Sequence, residues 1–207
     1  MRIQAAIDRV SLEKLFEIGS LLYGNADIVE VGTSLTKDYG MEACVGGMRK
    51  RFPDMCILAD IKTCDEGAYE FRQAYKAGAD IATVMGFSSN ATIKACAEVA
   101  REFGREYFID LMEVSDERTR ELAGLFPDGI FGIHLPSDMQ GEGLGELVKA
   151  QCACLKKVHS IAAAGGVKLE SLPLLKREGV EIAIVGGAIT KAENMGEAAA
   201  AFAAAAK

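Results

Sequence analysis

Short apolar runs of β type alternate along the chain with longer stretches whose apolar residues recur every three or four positions. The β-type runs cover 2–8 (RIQAAID), 27–32, 56–62, 80–86, 107–112, 130–135, 160–166 and 181–187. Their starts recur about every 26 residues, enough for a strand, a turn and a helix. In 12–22, Leu12, Leu15, Phe16, Ile18 and Leu22 form one apolar stripe, and Ser11 stands where an N-cap belongs. The segment 90–103 opens on Asn90, and 115–126 opens on Ser115 followed by two acidic residues. The Ala-rich stretch 197–207 reads as a terminal helix.

Eight strand–helix alternations need crossover connections and therefore parallel strands. An open doubly wound sheet usually holds five or six strands. Eight units in 207 residues close more naturally into a (β/α)8 barrel of the TIM type. Four units repeat one theme, small or polar residues leading into an apolar run that ends on Gly or His: NADIVEVG, AGADIATVMG, PDGIFGIH and EGVEIAIVGG. No linker or shift of composition divides the chain, so residues 1–207 are expected to form a single domain.

Composition narrows the function classes. Half of the residues are hydrophobic and 26% are charged, which excludes a disordered chain. The net charge of −7 argues against a general nucleic-acid binder and against a polybasic membrane contact. Asp8 and Arg9 interrupt the place where a signal peptide needs an apolar core, and no run of about 18 apolar residues predicts a membrane span. Six cysteines show no CxxC and no zinc-like spacing to His, which fits a reducing cytoplasm; the Cys152–Cys154 pair is too little to define a metal site.

In such a barrel the active site lies at the C-terminal ends of the strands. The polar residues that interrupt apolar runs there are Asp8, Glu30, Asp60, Lys62, Asp110 and His134, with Asp65 just beyond the third strand. Asp60 and Lys62 are two apart and so share one face of a strand. At about 4 Å, with an effective dielectric near 20, their attraction is on the order of 4 kcal/mol before desolvation. One reading is a structural ion pair that fills the barrel. In the other, Asp60, Asp65 and Glu30 surround the Lys62 ammonium with an excess of negative charge, which a divalent cation neutralises; two carboxylates with retained waters suit Mg²⁺. His134 is either a satisfied core residue or a proton-transfer group at the mouth. His159 falls at the opposite end of the barrel, structural or exposed. Glycine doublets follow strands seven and eight, Gly165–Gly166 and Gly186–Gly187. Either they are tight turns, or their backbone amides hold a phosphate, the usual task of these two loops, with Lys168 or Lys191 as helpers.

Together these residues resemble a known family. ADIKTCDEG (59–67) carries the Asp-x-Lys-x-x-Asp motif of the orotidine 5′-monophosphate decarboxylase superfamily. With QAAID, DIVEVGT, AGADIATVMG, AGGVKLESLP and VGGAI in order along the chain, the sequence resembles the 3-hexulose-6-phosphate synthases and their sisters, the 3-keto-L-gulonate-6-phosphate decarboxylases. The resemblance implies Glu30 and Asp60 as Mg²⁺ ligands and Asp8 as a substrate contact near the metal. It implies Lys62 beside a developing enediolate and His134 as the proton carrier. It assigns the phosphate to the loops at 164–166 and 186–187, and has Asp65 reach the partner's site in a homodimer.

The implied reaction is the Mg²⁺-dependent, reversible condensation of formaldehyde with D-ribulose 5-phosphate to D-arabino-hex-3-ulose 6-phosphate, an aldehyde-lyase activity. The sister decarboxylation passes through the same kind of enediolate and is the alternative. After His134 the family pattern continues with Asp138 and Gln140, and Ser137 stands where the decarboxylases typically carry Arg. That substitution disfavours the decarboxylase without itself supporting the synthase, whereas VGGAI and the strand-four ending VMG are synthase-like. A barrel that binds a sugar phosphate without turning it over is the third reading.

Overall fold

A computed structural model describes residues 1–139 and 143–207. Eight parallel strands close into a barrel in sequence order, β1 (Arg2–Ile7), β2 (Ile28–Val31), β3 (Ile57–Thr63), β4 (Ile81–Met85), β5 (Glu106–Asp110), β6 (Ile130–His134), β7 (Ser160–Ala164) and β8 (Ile182–Val185), with β8 back against β1. The architecture is the TIM barrel that the 26-residue spacing predicts. The helices are α1 (Leu12–Leu22), α2 (Thr33–Tyr39), α3 (Gly47–Arg51), α4 (Gly67–Lys76), α5 (Asn90–Phe103), α6 (Asp116–Leu125), α7 (Leu144–Cys154), α8 (Leu172–Arg177), α9 (Gly187–Thr190) and α10 (Met195–Ala205). A π-helical turn, Glu42–Gly46, joins α2 to α3, a feature absent from the sequence-based expectations.

The helix starts are set by side-chain oxygens that accept otherwise orphaned backbone N–H groups: Ser11 for Lys14, Ser89 for Thr92, Ser115 for Arg118 and Asn194 for Glu197. Strand residues alternate between two apolar layers. Ile3, Ile7, Val29, Ile57, Val84 and Phe131 pack outward under the helices. Ile28, Leu58, Ile81, Phe108, Ile130 and Ile182 point inward and plug the barrel. Because both faces of every strand are covered, the strands read as continuous apolar runs. The Phe108 ring lies where Gly132 has no side chain; a Cβ there would sit 2.1 Å from Phe108 Cζ. Any larger residue at 132 forces the plug apart.

The repeated Asp at a strand start has a structural task at the N-terminal end. Asp27 Oδ2 accepts the Ile3 N–H of the preceding strand at 2.7 Å, and Asp80 Oδ2 accepts the Ile57 N–H at 2.8 Å. Asp80 also pairs with Arg49 and Arg105, and Arg49 in turn donates to the carbonyls of Gly78, Pro53 and Met55. His159 lies at this same end, against Glu106. Removing Asp80 leaves a strand N–H and two guanidinium groups without their shared acceptor. We therefore expect Asp80→Ala to cost about 2 kcal/mol, a melting-temperature drop of roughly 4–8 °C, against about half that for Asp27→Ala. Thermal unfolding of the two variants beside wild type measures the difference.

Candidate active site

The inward-facing polar residues gather at the C-terminal end, above the apolar plug, around a cavity of about 800 Å³. That volume suits a small phosphorylated metabolite. Gln4 and Asp8, Glu30, Asp60 and Lys62, Thr83, Asp110 and His134 come from β1 to β6 or the residues just after them, and the two glycine doublets lie at the rim.

At the centre is the Lys62 ammonium. Its Nζ lies 3.2 Å from Asp60 Oδ2 and 3.1 Å from Asp110 Oδ2. Burial alone pulls an ammonium toward neutrality, but the Asp60 and Asp110 carboxylates outweigh it and hold Lys62 protonated, above the usual lysine range. Asp110 is almost wholly buried. Burial pushes its carboxyl up, yet the bonds from His134 and Lys62 bring it below the ordinary aspartate value. Asp110 therefore acts as an acceptor, and His134 Nδ1, 2.8 Å from its Oδ2, carries the shared hydrogen. In a neutral imidazole with its hydrogen on Nδ1, the lone pair is on Nε2.

Glu30 is different. Burial first, and the neighbouring Asp60 second, raise its carboxyl to about 8, while Gln4 Nε2 donates to Glu30 Oε2 at 2.6 Å. Glu30 and Asp60 thus share a site in which a second negative charge is unfavourable until a cation joins them. Gln4 Oε1 is buried beside them with no hydrogen-bond partner among the described residues. This donor set fits a hard divalent ion held by two carboxylates and waters, even though no group of three or more His, Cys, Asp or Glu suited to a metal occurs among the described residues.

The strand geometry under Lys62 is irregular. Between Ala59 and Thr63 the register against β4 shifts, and Lys62 adopts φ 49°, in the left-handed region. Such a backbone costs about 1–3 kcal/mol in a non-glycine residue. Asp60 and Lys62 do meet, as expected, but across a bulge rather than by simple alternation. Asp65 is placed differently from the expected ring of carboxylates. It lies outside its own chain's cavity, exposed, with Oδ1 accepting the Glu66 N–H, and Asp110 takes its place beside the ammonium.

Asp8 lies at the rim, where its Oδ1 accepts from the Ser34 hydroxyl and from the Arg9 and Ser34 N–H groups at 3.1 Å. Gly165 and Gly166 have φ of 106° and 71°, and a Cβ on Gly165 would strike Leu135 O at 2.4 Å. Gly186 faces open space, so a methyl group there enters the rim of the cavity. Lys168, Lys191 and Arg9 also line it. Asp138 is exposed in the 3-10 turn Ser137–Met139, and Gln140 lies outside the described residues. Sequence reasoning missed Thr33 and Thr83, whose hydroxyls donate to Asp60 Oδ2 at 2.6 Å and Oδ1 at 2.9 Å. It also gave no role to Gln4. The signal for Thr83 and Gln4 was a polar residue at an inward position of an apolar strand.

Known proteins share this chain's sequence pattern and fold. The model of the orotidine 5′-phosphate decarboxylase / HUMPS family matches residues 1–202. The chain belongs to that family. It is 35% identical over 204 residues to 3-hexulose-6-phosphate synthase of Bacillus subtilis (strain 168), covering 96% of this chain and 95% of the relative. A crystal structure of a 3-hexulose-6-phosphate synthase superposes with TM-score 0.91 at 32% identity over the whole of both chains. A 3-keto-L-gulonate-6-phosphate decarboxylase from Vibrio cholerae superposes with TM-score 0.84 at 28% identity, over 99% of this chain and 96% of that one. Family membership indicates an enzyme. No helix is long and apolar enough to cross a membrane among the described residues.

The raised Glu30 carboxyl sets a pH dependence in the metal-free protein. Its folded value lies above its unfolded one, so its contribution to stability is complete below about 4.5 and is lost as pH rises through about 8. In chelator, wild type is expected to lose melting temperature across that window relative to Glu30→Gln. Parallel slopes for the two proteins in thermal melts contradict the assignment.

Proposed function

We propose that this protein is a Mg²⁺-dependent aldehyde-lyase that reversibly condenses formaldehyde with D-ribulose 5-phosphate. The observation that carries the proposal is the Lys62 ammonium fixed between Asp60 and Asp110, with His134 anchored on the same Asp110 oxygen. The similarity to 3-hexulose-6-phosphate synthases supports the choice of substrate. Backbone amides of Gly165, Gly166, Gly186 and Gly187 hold the phosphate, helped by Lys168 or Lys191. Asp8 contacts the sugar near its reacting end.

His134 Nε2 takes a proton from the hydroxymethyl carbon beside the ketose carbonyl, and Asp110 steadies the imidazolium that forms. One negative charge then develops on the former carbonyl oxygen, beside the hydroxyl that keeps its hydrogen. Lys62 is already in place to stabilise it, with no reorganisation at the moment of reaction. The carbon adds to formaldehyde, and His134 returns the proton to the new alkoxide. Glu30 and Asp60 would hold the Mg²⁺, which when bound would supply further positive charge to stabilise the enolate.

Asp65 serves the neighbouring subunit of a homodimer, in keeping with its exposed position outside its own cavity. Six free cysteines suit a reducing compartment such as the cytoplasm.

The test is a substrate panel. Formaldehyde-dependent loss of ribulose 5-phosphate that stops in EDTA and returns with Mg²⁺ is expected. Release of CO₂ from 3-keto-L-gulonate 6-phosphate instead assigns the sister activity. Ligand binding without turnover of any family substrate overturns both. Lys62→Ala is expected to lower kcat by at least about 10³-fold, with affinity for inorganic phosphate changed less than about threefold. Sedimentation of an active monomer contradicts the dimer.

A further inference from the structure

β4 carries a single polar residue, Thr83, 3% exposed and turned into the barrel between Ile81 and Met85. Its hydroxyl is used in both directions. The hydrogen goes to Asp60 Oδ1 at 2.9 Å, and the oxygen accepts the backbone N–H of Lys62, also at 2.9 Å. Both partners lie on the irregular part of β3. There the chain advances from Ala59 to Thr63 while β4 advances only from Ala82 to Val84, so the ladder is interrupted beneath Lys62. The N–H displaced by this bulge is taken by Thr83, and the Lys62 carbonyl accepts the Cys64 thiol at 3.3 Å. The left-handed Lys62 peptide is therefore held at both its N–H and its C=O.

We propose that Thr83 is a positioning residue that fixes the Lys62 peptide and the Asp60 carboxylate relative to one another, so that the Lys62 amine stands over the reacting oxygens. The proposal rests on the lyase reading for its kinetic consequence, but its structural part stands apart from it. A valine has the same shape and no hydroxyl. It leaves the Lys62 N–H unpaired and one Asp60 oxygen unrestrained, without opening a hole in the barrel. The strained peptide is then free to relax, which swings a long side chain whose amine must be placed to better than an ångström.

Three measurements decide the matter. In wild type the Lys62 amide is expected to exchange with solvent deuterium as slowly as strand amides; exchange at the rate of an exposed loop overturns the proposal whatever the enzyme does. Thr83→Val is expected to lower kcat about 10–100-fold with KM for ribulose 5-phosphate within about threefold, and to speed Lys62 amide exchange. Thr83→Ser is expected to recover kcat to within about threefold of wild type. Unchanged kcat in the valine variant, or a serine variant as slow as valine, overturns it. If wild type turns over none of the family's substrates, the lyase reading fails. The exchange rates of wild type and Thr83→Val then still judge the clamp.

Discussion

A protonated amine lodged among three carboxylates at the mouth of an otherwise apolar barrel is the arrangement on which the rest of the structure depends. Lys62 is in contact with Asp60 and Asp110, and Glu30 shares the same space. Removing such charges from water is costly, and mutual attraction offsets that only when geometry is good and remaining lone pairs are satisfied. The surrounding residues meet those conditions one by one. Thr33 and Thr83 bond Asp60, Met112 N–H and His134 bond Asp110, and Gln4 bonds Glu30. With all three carboxylates ionised the excess is two negative charges, and Glu30 reduces it to one by holding its proton.

The barrel divides the work between its two ends. Below, inward isoleucines and Phe108 over Gly132 form a dry plug, and the Asp27 and Asp80 carboxylates bind strand N–H groups at the base. Above, the same inward positions hold polar groups, and the backbone is irregular at Arg9, Lys62 and Glu113, all with positive φ near strand ends. Strain of that kind persists only where the surroundings over-determine it. The stable end supports the strained end, in line with the usual separation of stability and chemistry in this fold.

Much of this was legible in the sequence. The eight apolar runs predicted the strands to within about two residues at each end, and α1 and α5 run over the expected residues. The polar interruptions at Glu30, Asp60, Lys62, Asp110 and His134 converge because inward positions recur with period two and a closed barrel brings them to one mouth. Less legible were effects without a periodic signature. The β3 bulge, the π-helical turn at Glu42–Gly46 and the left-handed Lys62 follow from tertiary pairing rather than local pattern. Strict alternation therefore reached the right Asp60–Lys62 contact through the wrong backbone. Likewise, nearness in sequence suggested Asp65 as a neighbour of the ammonium, whereas Asp110, two strands away around the barrel, holds that position.

If Glu30 and Asp60 hold a divalent cation, the ion must displace the proton that Glu30 carries in its absence. Calorimetric titration of the chelated protein with Mg²⁺ at neutral pH, repeated in two buffers of different ionisation enthalpy, tests it directly. Saturable binding of one ion per chain is expected, with release of close to one proton, because Glu30 must ionise to take part. Saturable binding with no proton released, or no binding at all, would contradict it.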